Sequence, residues 1–300
     1  MNNAPIAIFV YNRVEHLQRM IDMLEQNTLV TESDLYIFSD GGKNVKDIEA
    51  VNHVRQWIVQ YKEKSKFRNV FVTEKEHNCG LANSIIGGVN QIFLNHDRVI
   101  VLEDDLLVAK SFLVYMNEAL TFYEKEKKIW SISGYTPQLE SLQNYNRDVY
   151  FIYRPYSWGW ATWKDRWELV DWKLKNYYRE RFDIKNQKQF MRGGNLMPSM
   201  LRAQMSGKID SWYVRWAYEA SKRNKYTVYP TKSLVRNIGL DGSGTHCSTD
   251  MHDKYDNELG YGETQYTFFM DKLDVKLAKE FREFHSLSIW KRIMLKLKRK

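Results

Sequence analysis

Four short apolar runs at near-regular spacing constrain this chain more than any other feature. Pro5-Ile6-Ala7-Ile8-Phe9-Val10-Tyr11, Leu35-Tyr36-Ile37-Phe38, Asn69-Val70-Phe71-Val72-Thr73 and Val99-Ile100-Val101-Leu102 each read as a strand, the last as a buried one. Between them, apolar residues recur at helical spacing: Leu17, Met20, Ile21 and Leu24, then Val51, Val54 and Ile58, then Ile85, Val89, Ile92 and Phe93. A strand–helix repeat of roughly thirty residues is the size of a βαβ unit, which predicts a parallel sheet flanked by helices.

In such a sheet the C-terminal ends of the strands share one edge, and ligands bind there. Each of the four strands delivers polar residues to that edge: Asn12 and Arg13, Asp40, Glu76 and His77, and finally Glu103-Asp104-Asp105. Three adjacent carboxylates repel one another unless water solvates them or a cation neutralises them. Mg²⁺ and Mn²⁺ are hard cations that take one or two carboxylates plus the oxygens of a substrate's phosphates. The triplet therefore reads either as a metal–diphosphate site or as an acidic turn in water. A Rossmann-like dinucleotide enzyme would carry Gly-x-Gly-x-x-Gly after its first strand, but Tyr11-Asn12-Arg13-Val14 has no glycine, and no Walker loop occurs.

Beyond about residue 110 the alternation stops. Ser111 to Tyr123 predicts a helix, Ile129 to Ser133 and Tyr150 to Tyr153 predict strands, and Tyr135 to Arg147 is polar and irregular. Ser157-Trp158-Gly159-Trp160-Ala161-Thr162-Trp163 predicts an aromatic turn before a helix, Gly193-Gly194-Asn195 and Ser206-Gly207-Lys208 mark loops, and Trp212 to Lys222 predicts a helix. The 10 Trp, 19 Tyr and 14 Phe concentrate in this half, where they either fill the core or line a sugar-binding cleft. The expected organisation is a nucleotide-binding half over residues 1–110, an acceptor-binding half of the same domain over 111–285, and a tail over 286–300.

Six of the eight net positive charges lie in the last ten residues, so a globally basic nucleic-acid binder is poorly supported. In the tail, Trp290, Ile293, Met294 and Leu297 fall at helical spacing among lysines and arginines, which fits an anionic membrane surface or a solvated charged end. Two cysteines, Cys79 and Cys247, are too few for a disulfide framework. With no membrane-spanning run and no signal-peptide pattern at Met1 to Pro5, the expectation is a cytoplasmic protein, peripheral on the inner face of the membrane.

The early strand, Ser39-Asp40-Gly41-Gly42, His77-Asn78-Cys79-Gly80-Leu81 and Leu102-Glu103-Asp104-Asp105 follow in an order that resembles the GT-A nucleotide-sugar glycosyltransferases. Within them the chain is most similar to the group typified by N-acetylglucosaminyltransferase I and related bacterial enzymes. There Glu-Asp-Asp is the local form of the Asp-x-Asp motif. The resemblance extends through Ser157-Trp158-Gly159-Trp160 and Asp210-Ser211-Trp212 to about His246.

It implies a GT-A fold, a mostly parallel α/β sheet flanked by helices with an irregular acceptor-binding C-terminal half. It further implies that Asp105 ligates Mn²⁺ or Mg²⁺, that Glu103 and Asp104 face the nucleotide and donor sugar, and that Arg13, Asp40 and His77 contact base and ribose. Asp40 as a turn former and His77 as an ordinary loop histidine are the plainer alternatives. The family's base lies in a Trp-Asp-Asp-Trp stretch. The Trp register puts Ser211 at that place, and Asp210, the only carboxylate there, is either the base or the N-cap of the next helix. His246, in the glycine-rich Asn237 to His246 loop, is either a further metal ligand or part of a surface loop.

The implied reaction is a metal-dependent, inverting transfer from a nucleotide sugar, UDP-linked and with UDP-GlcNAc as one option, to a glycan or lipid-linked glycan in surface polysaccharide assembly. A sugar nucleotidyltransferase and a non-catalytic carbohydrate-binding scaffold are the rival readings. The first of these is weakened by the lack of a glycine-rich basic loop after the first strand.

Overall fold

The structure is a computed structural model that describes residues 3–240, 252–260 and 265–288. Its first half follows the predicted alternation: β1 (Ile6–Val10), α1 (Val14–Leu24), β2 (Asp34–Ser39), α2 (Val45–Lys64), β3 (Asn69–Glu74), α3 (Leu81–Ile92) and β4 (Arg98–Glu103). The second half adds β5 (Leu106–Val108), α4 (Phe112–Phe122), β6 (Ile129–Ser133), β7 (Val149–Ile152) and β8 (Trp160–Trp163). Short helices α5 (Lys164–Trp167), α6 (Tyr177–Glu180), α7 (Ile184–Phe190) and α8 (Met197–Met205) precede α9 (Trp212–Lys222). The described chain then runs through β9 (Tyr226–Pro230), β10 (Val235–Asn237), α10 (His252–Tyr255) and α11 (Val275–Phe284).

Eight strands form one sheet in the order β3-β2-β1-β4-β8-β6-β9-β7, and β10 pairs separately with β5. Pairs β3–β2, β2–β1, β1–β4 and β6–β9 are parallel, whereas β4–β8, β8–β6 and β9–β7 are antiparallel. The sheet thus continues from the Rossmann-like half into the C-terminal half without a break, which is the GT-A arrangement the resemblance implies. Alternate residues of β1 face opposite sides. Ile6, Ile8 and Val10 pack with Leu17, Met20, Ile21, Val54 and Ile58 of α1 and α2, while Ala7 and Phe9 pack with Ile85, Val89 and Ile92 of α3.

One expectation is corrected. Trp160 to Trp163 is not part of a turn but a strand in the middle of the sheet, with Ala161 facing Ile100 on β4 and Ile132 on β6. The turn is confined to the residues before it, where Gly159 has φ +58° and a Cβ would come within 2.6 Å of Val235 Cγ2. Buried on both sides, the strand carries rings where a solvated strand would alternate with polar residues.

Those rings are core. Trp160 stacks on Trp212 at 5.0 Å between centroids, Trp130 meets Trp216 at 4.6 Å, and Trp167 meets Trp216 at 5.1 Å. The cluster clamps α9 to the sheet at both of its first two turns, since Trp212 is 3% and Trp216 0% exposed.

At the end of α11 the His285 ring lies 4.4 Å from Phe281 and 5% of the residue is exposed. Burial, reinforced by the charge of Arg154, holds its pKa well below the usual 6.5. Unfolding restores the ordinary value, so the neutral ring's contribution is present above pH 6.5 and is lost as pH falls toward the folded value. The melting temperature is expected to drop between about pH 7 and pH 5, and His285→Gln should flatten that slope. An unchanged slope in thermal melts of the variant would show that His285 is not the titrating group.

Candidate active site

The strand order places β1 between β2 and β4. The chain leaves β1 toward β2 and β3 and returns to β4, so a crevice opens where the C-terminal ends of β1 and β4 diverge. This is the topological switch point at which open α/β sheets bind ligands. Tyr11 to Arg13 lie on one side and Glu103 to Asp105 on the other.

The acids are held there by backbone pairing. The Asp104 N–H donates to the Phe9 carbonyl at 3.2 Å, and Asp105 is followed at once by β5, whose Leu106 pairs with Asn237 of β10. The Ile238 N–H donates to the Asp105 carbonyl at 2.9 Å, which brings the segment after β10 onto the site. Gly239 leaves room for the Asp105 and Arg13 side chains at that contact. A Cβ on it would fall 2.1 Å from Asp105 Oδ2 and 2.9 Å from Arg13 Nη1.

One guanidinium nitrogen joins the two aspartates. Arg13 Nη2 donates to Asp104 Oδ1 at 2.6 Å and to Asp105 Oδ2 at 2.8 Å, and Asp104 Oδ2 also accepts from the Tyr11 N–H at 3.3 Å. All three side chains are substantially buried, at 21%, 5% and 14% exposure. Burial alone would lower the Arg13 pKa, but attraction from Asp104 and Asp105 reverses this and raises it. Burial pushes the Glu103 and Asp104 carboxyls up and repulsion from neighbouring acids adds at both, whereas Arg13 opposes it at both and, at Asp104, also through a hydrogen bond, joined there by the Tyr11 N–H. Arg13 Nη1 is buried without a hydrogen-bond partner, so the cation keeps an unused donor beside the carboxylates.

Asp40 sits at the end of β2 with every lone-pair direction taken. Its Oδ1 accepts from the N–H groups of Gly41 (3.0 Å) and Cys79 (2.9 Å), and its Oδ2 accepts from the Gly80 N–H (3.0 Å) and Asn78 Nδ2 (3.2 Å). Asp40 therefore shapes the Asn78–Gly80 loop, with its own oxygens turned to that loop. Asn78, which also donates to the Gly41 carbonyl at 2.7 Å, entered the sequence reading only as a letter of the His77-Asn78-Cys79-Gly80-Leu81 motif, with no role attached to it. His77 is exposed on the same loop, and its backbone packs so closely on Gly41 that a Cβ there would lie 2.5 Å from the His77 carbonyl carbon.

The N-cap of α9 is Ser211, whose Oγ accepts from the Val214 N–H at 3.2 Å. Asp210 is thus released from capping. Its carboxylate is 56% exposed, lies 3.5 Å from Arg215 Nη2, and places Oδ2 3.4 Å from where a Cβ on Gly80 would be. The structure in this way brings Asp210 to the loop held by Asp40, on the edge that also carries Arg13, Asp104 and Asp105. His246 lies outside the described residues.

Among the described residues no group of three or more His, Cys, Asp and Glu side chains forms a complete metal cage. The donor set nevertheless suits Mg²⁺ or Mn²⁺, which complete their shells with phosphate oxygens and water around one or two carboxylates. The unpartnered Arg13 Nη1 suits an anionic oxygen at the same place.

Asp40→Ala removes the acceptor for four donors at a 7% exposed position. It should cost about 2–3 kcal/mol of stability and speed amide exchange at Cys79 and Gly80. Wild-type exchange at those two amides would rule out the tether.

The GNT-I family model matches residues 1–204. Alpha-1,3-mannosyl-glycoprotein 2-beta-N-acetylglucosaminyltransferase of Arabidopsis thaliana is 23% identical over 204 residues, which cover 63% of this chain and 45% of the relative. The chain spans less than half the length of that relative. Among solved structures, residues 1–349 of S. aureus TarS align with TM-score 0.42 and 11% identity over 77% of this chain and 59% of that one. The mannosyltransferase PcManGT from Pyrobaculum calidifontis, in complex with GDP-Man and Mn2+, aligns with TM-score 0.40 and 10% identity over 74% of each chain. Because the family model runs unbroken from β1 into α8, through Arg13, the Asp40 loop and the Glu103 to Asp105 turn, the chain belongs to the GNT-I family.

Proposed function

We propose that this protein is a metal-dependent, inverting glycosyltransferase that moves a sugar from a UDP-sugar, UDP-GlcNAc being one candidate, to a glycan or lipid-linked glycan acceptor. The observation that carries the reading is the Arg13–Asp104–Asp105 constellation at the switch point, with a buried guanidinium donor left over beside two carboxylates. Family membership supports it independently.

In this reading Asp105 holds Mn²⁺ or Mg²⁺, and Glu103 and Asp104 face the nucleotide and donor sugar. The metal, when bound, neutralises negative charge on the departing diphosphate. Arg13 donates its free Nη1–H to a diphosphate oxygen. Asp40 presents the Asn78–Gly80 backbone to base and ribose, with His77 at the rim. Asp210 accepts the proton of the acceptor hydroxyl as that oxygen attacks the anomeric carbon from the face opposite the leaving group, so configuration inverts and no second carboxylate is needed as nucleophile. His246 is a further candidate ligand. A cytoplasmic setting on the inner face of the membrane, held through the basic tail, and a role in surface polysaccharide or glycolipid assembly complete the proposal.

UDP release and equilibrium binding across a panel of UDP-sugars, with and without Mn²⁺, test it. Asp105→Ala should abolish the metal-dependent part of binding. Asp210→Asn should bind donor normally and lose about 10²-fold or more in turnover. Absence of nucleotide-sugar binding with any divalent metal would overturn the proposal and bring the scaffold reading forward.

A further inference from the structure

Residues 173–190 form a two-sided strip on the C-terminal half. Leu174, Tyr177 and Phe190 turn inward onto α8 and α9, where each is at most 3% exposed. Tyr178, Phe182 and Ile184 turn outward and are 62%, 73% and 69% exposed. Three large apolar side chains bare to water within seven residues are a concentrated patch on a surface where such residues normally occur singly.

The charge around them is predominantly positive, six basic side chains against Glu180 and Asp183. Lys173, Lys175, Arg179, Arg181, Lys185 and Lys188 are all exposed, and none forms an ion pair among the described residues. The two acids of the strip are engaged by the fold. Glu180 accepts from Tyr218 Oη at 3.1 Å and from Lys222 Nζ at 3.2 Å, and Asp183 caps α7 by accepting from the N–H groups of Lys185 and Asn186. The Arg181 guanidinium rides over the Phe182 ring at 4.5 Å and the Tyr178 ring at 5.4 Å, so one cation is shared by both rings.

We infer that this strip docks on an anionic lipid surface, with Phe182 and Ile184 entering the headgroup–acyl boundary and the six basic side chains meeting lipid phosphates. Charge complementarity selects the lipid, and the bare apolar side chains separate it from a soluble polyanion, which would engage only the cations. The strip also adjoins the last described residues: Asn195, in the loop after α7, donates to the Leu287 carbonyl at 2.8 Å and accepts from its N–H at 3.1 Å. Docking through the strip is separate from the tail and does not depend on the transferase reading.

The test is co-sedimentation of the full-length chain, tail included, with vesicles of phosphatidylcholine alone or with phosphatidylglycerol. Wild type should pellet with the anionic vesicles and not with the neutral ones. The surface double variant Phe182→Ser/Ile184→Ser should keep its melting temperature and lose about tenfold or more in partitioning, as should Arg179→Gln/Arg181→Gln. Three outcomes would overturn the inference: equal pelleting of wild type and the Ser double variant, equal binding to neutral vesicles, or a dimer in sedimentation velocity that the Ser double variant abolishes while vesicles bind neither protein.

Discussion

A single guanidinium nitrogen shared between two aspartates organises the edge of this sheet. Arg13 comes from the turn after β1, and Asp104 and Asp105 from the turn after β4. Two buried carboxylates side by side would repel and drive one another toward the protonated form. A cation between them offsets part of that repulsion. The ion pair thereby bridges the crevice that the strand order opens, and it leaves one buried N–H without a partner. In the proposed reaction that partner is the donor's diphosphate.

Around this point the structure sets two further constraints. Asp40 gathers four donors and so fixes a loop thirty-eight to forty residues away in sequence. Trp160 of β8 packs on Trp212 and Trp216 of α9 and fixes where α9 begins, hence where Asp210 stands. Each is a rigid element carrying a polar group at its end, which is how a site gains precise geometry without every residue touching the ligand. The strip carrying Phe182 and Ile184 belongs to the same half and is two-sided, with Leu174, Tyr177 and Phe190 packed inward and Tyr178, Phe182 and Ile184 turned outward.

The first half of the fold was legible because each of its strands is a continuous apolar run and each of its helices carries a clean apolar stripe, and both signals are local. The Trp160 to Trp163 strand was not legible, because a strand paired on both edges and covered on both faces loses its alternation and reads as an aromatic cluster. The site divided along the same line. Three acids after an apolar run and a polar residue after every strand are local patterns, and they led to Arg13, Asp40, Glu103, Asp104 and Asp105 together.

Sequence by itself thus determined the parallel half, the edge on which the polar residues meet, and the family resemblance carried by their order. Only tertiary structure decided that Asp40 spends its oxygens on the Asn78–Gly80 loop, that Ser211 caps α9 and frees Asp210 beside Gly80, and that Gly239 lies against Asp105. Each of these is a contact between residues far apart in the chain, or a choice between adjacent residues made by helix geometry. Hydrogen-bond partners and close approaches of that kind follow from how the layers pack, not from the period or composition of any one segment.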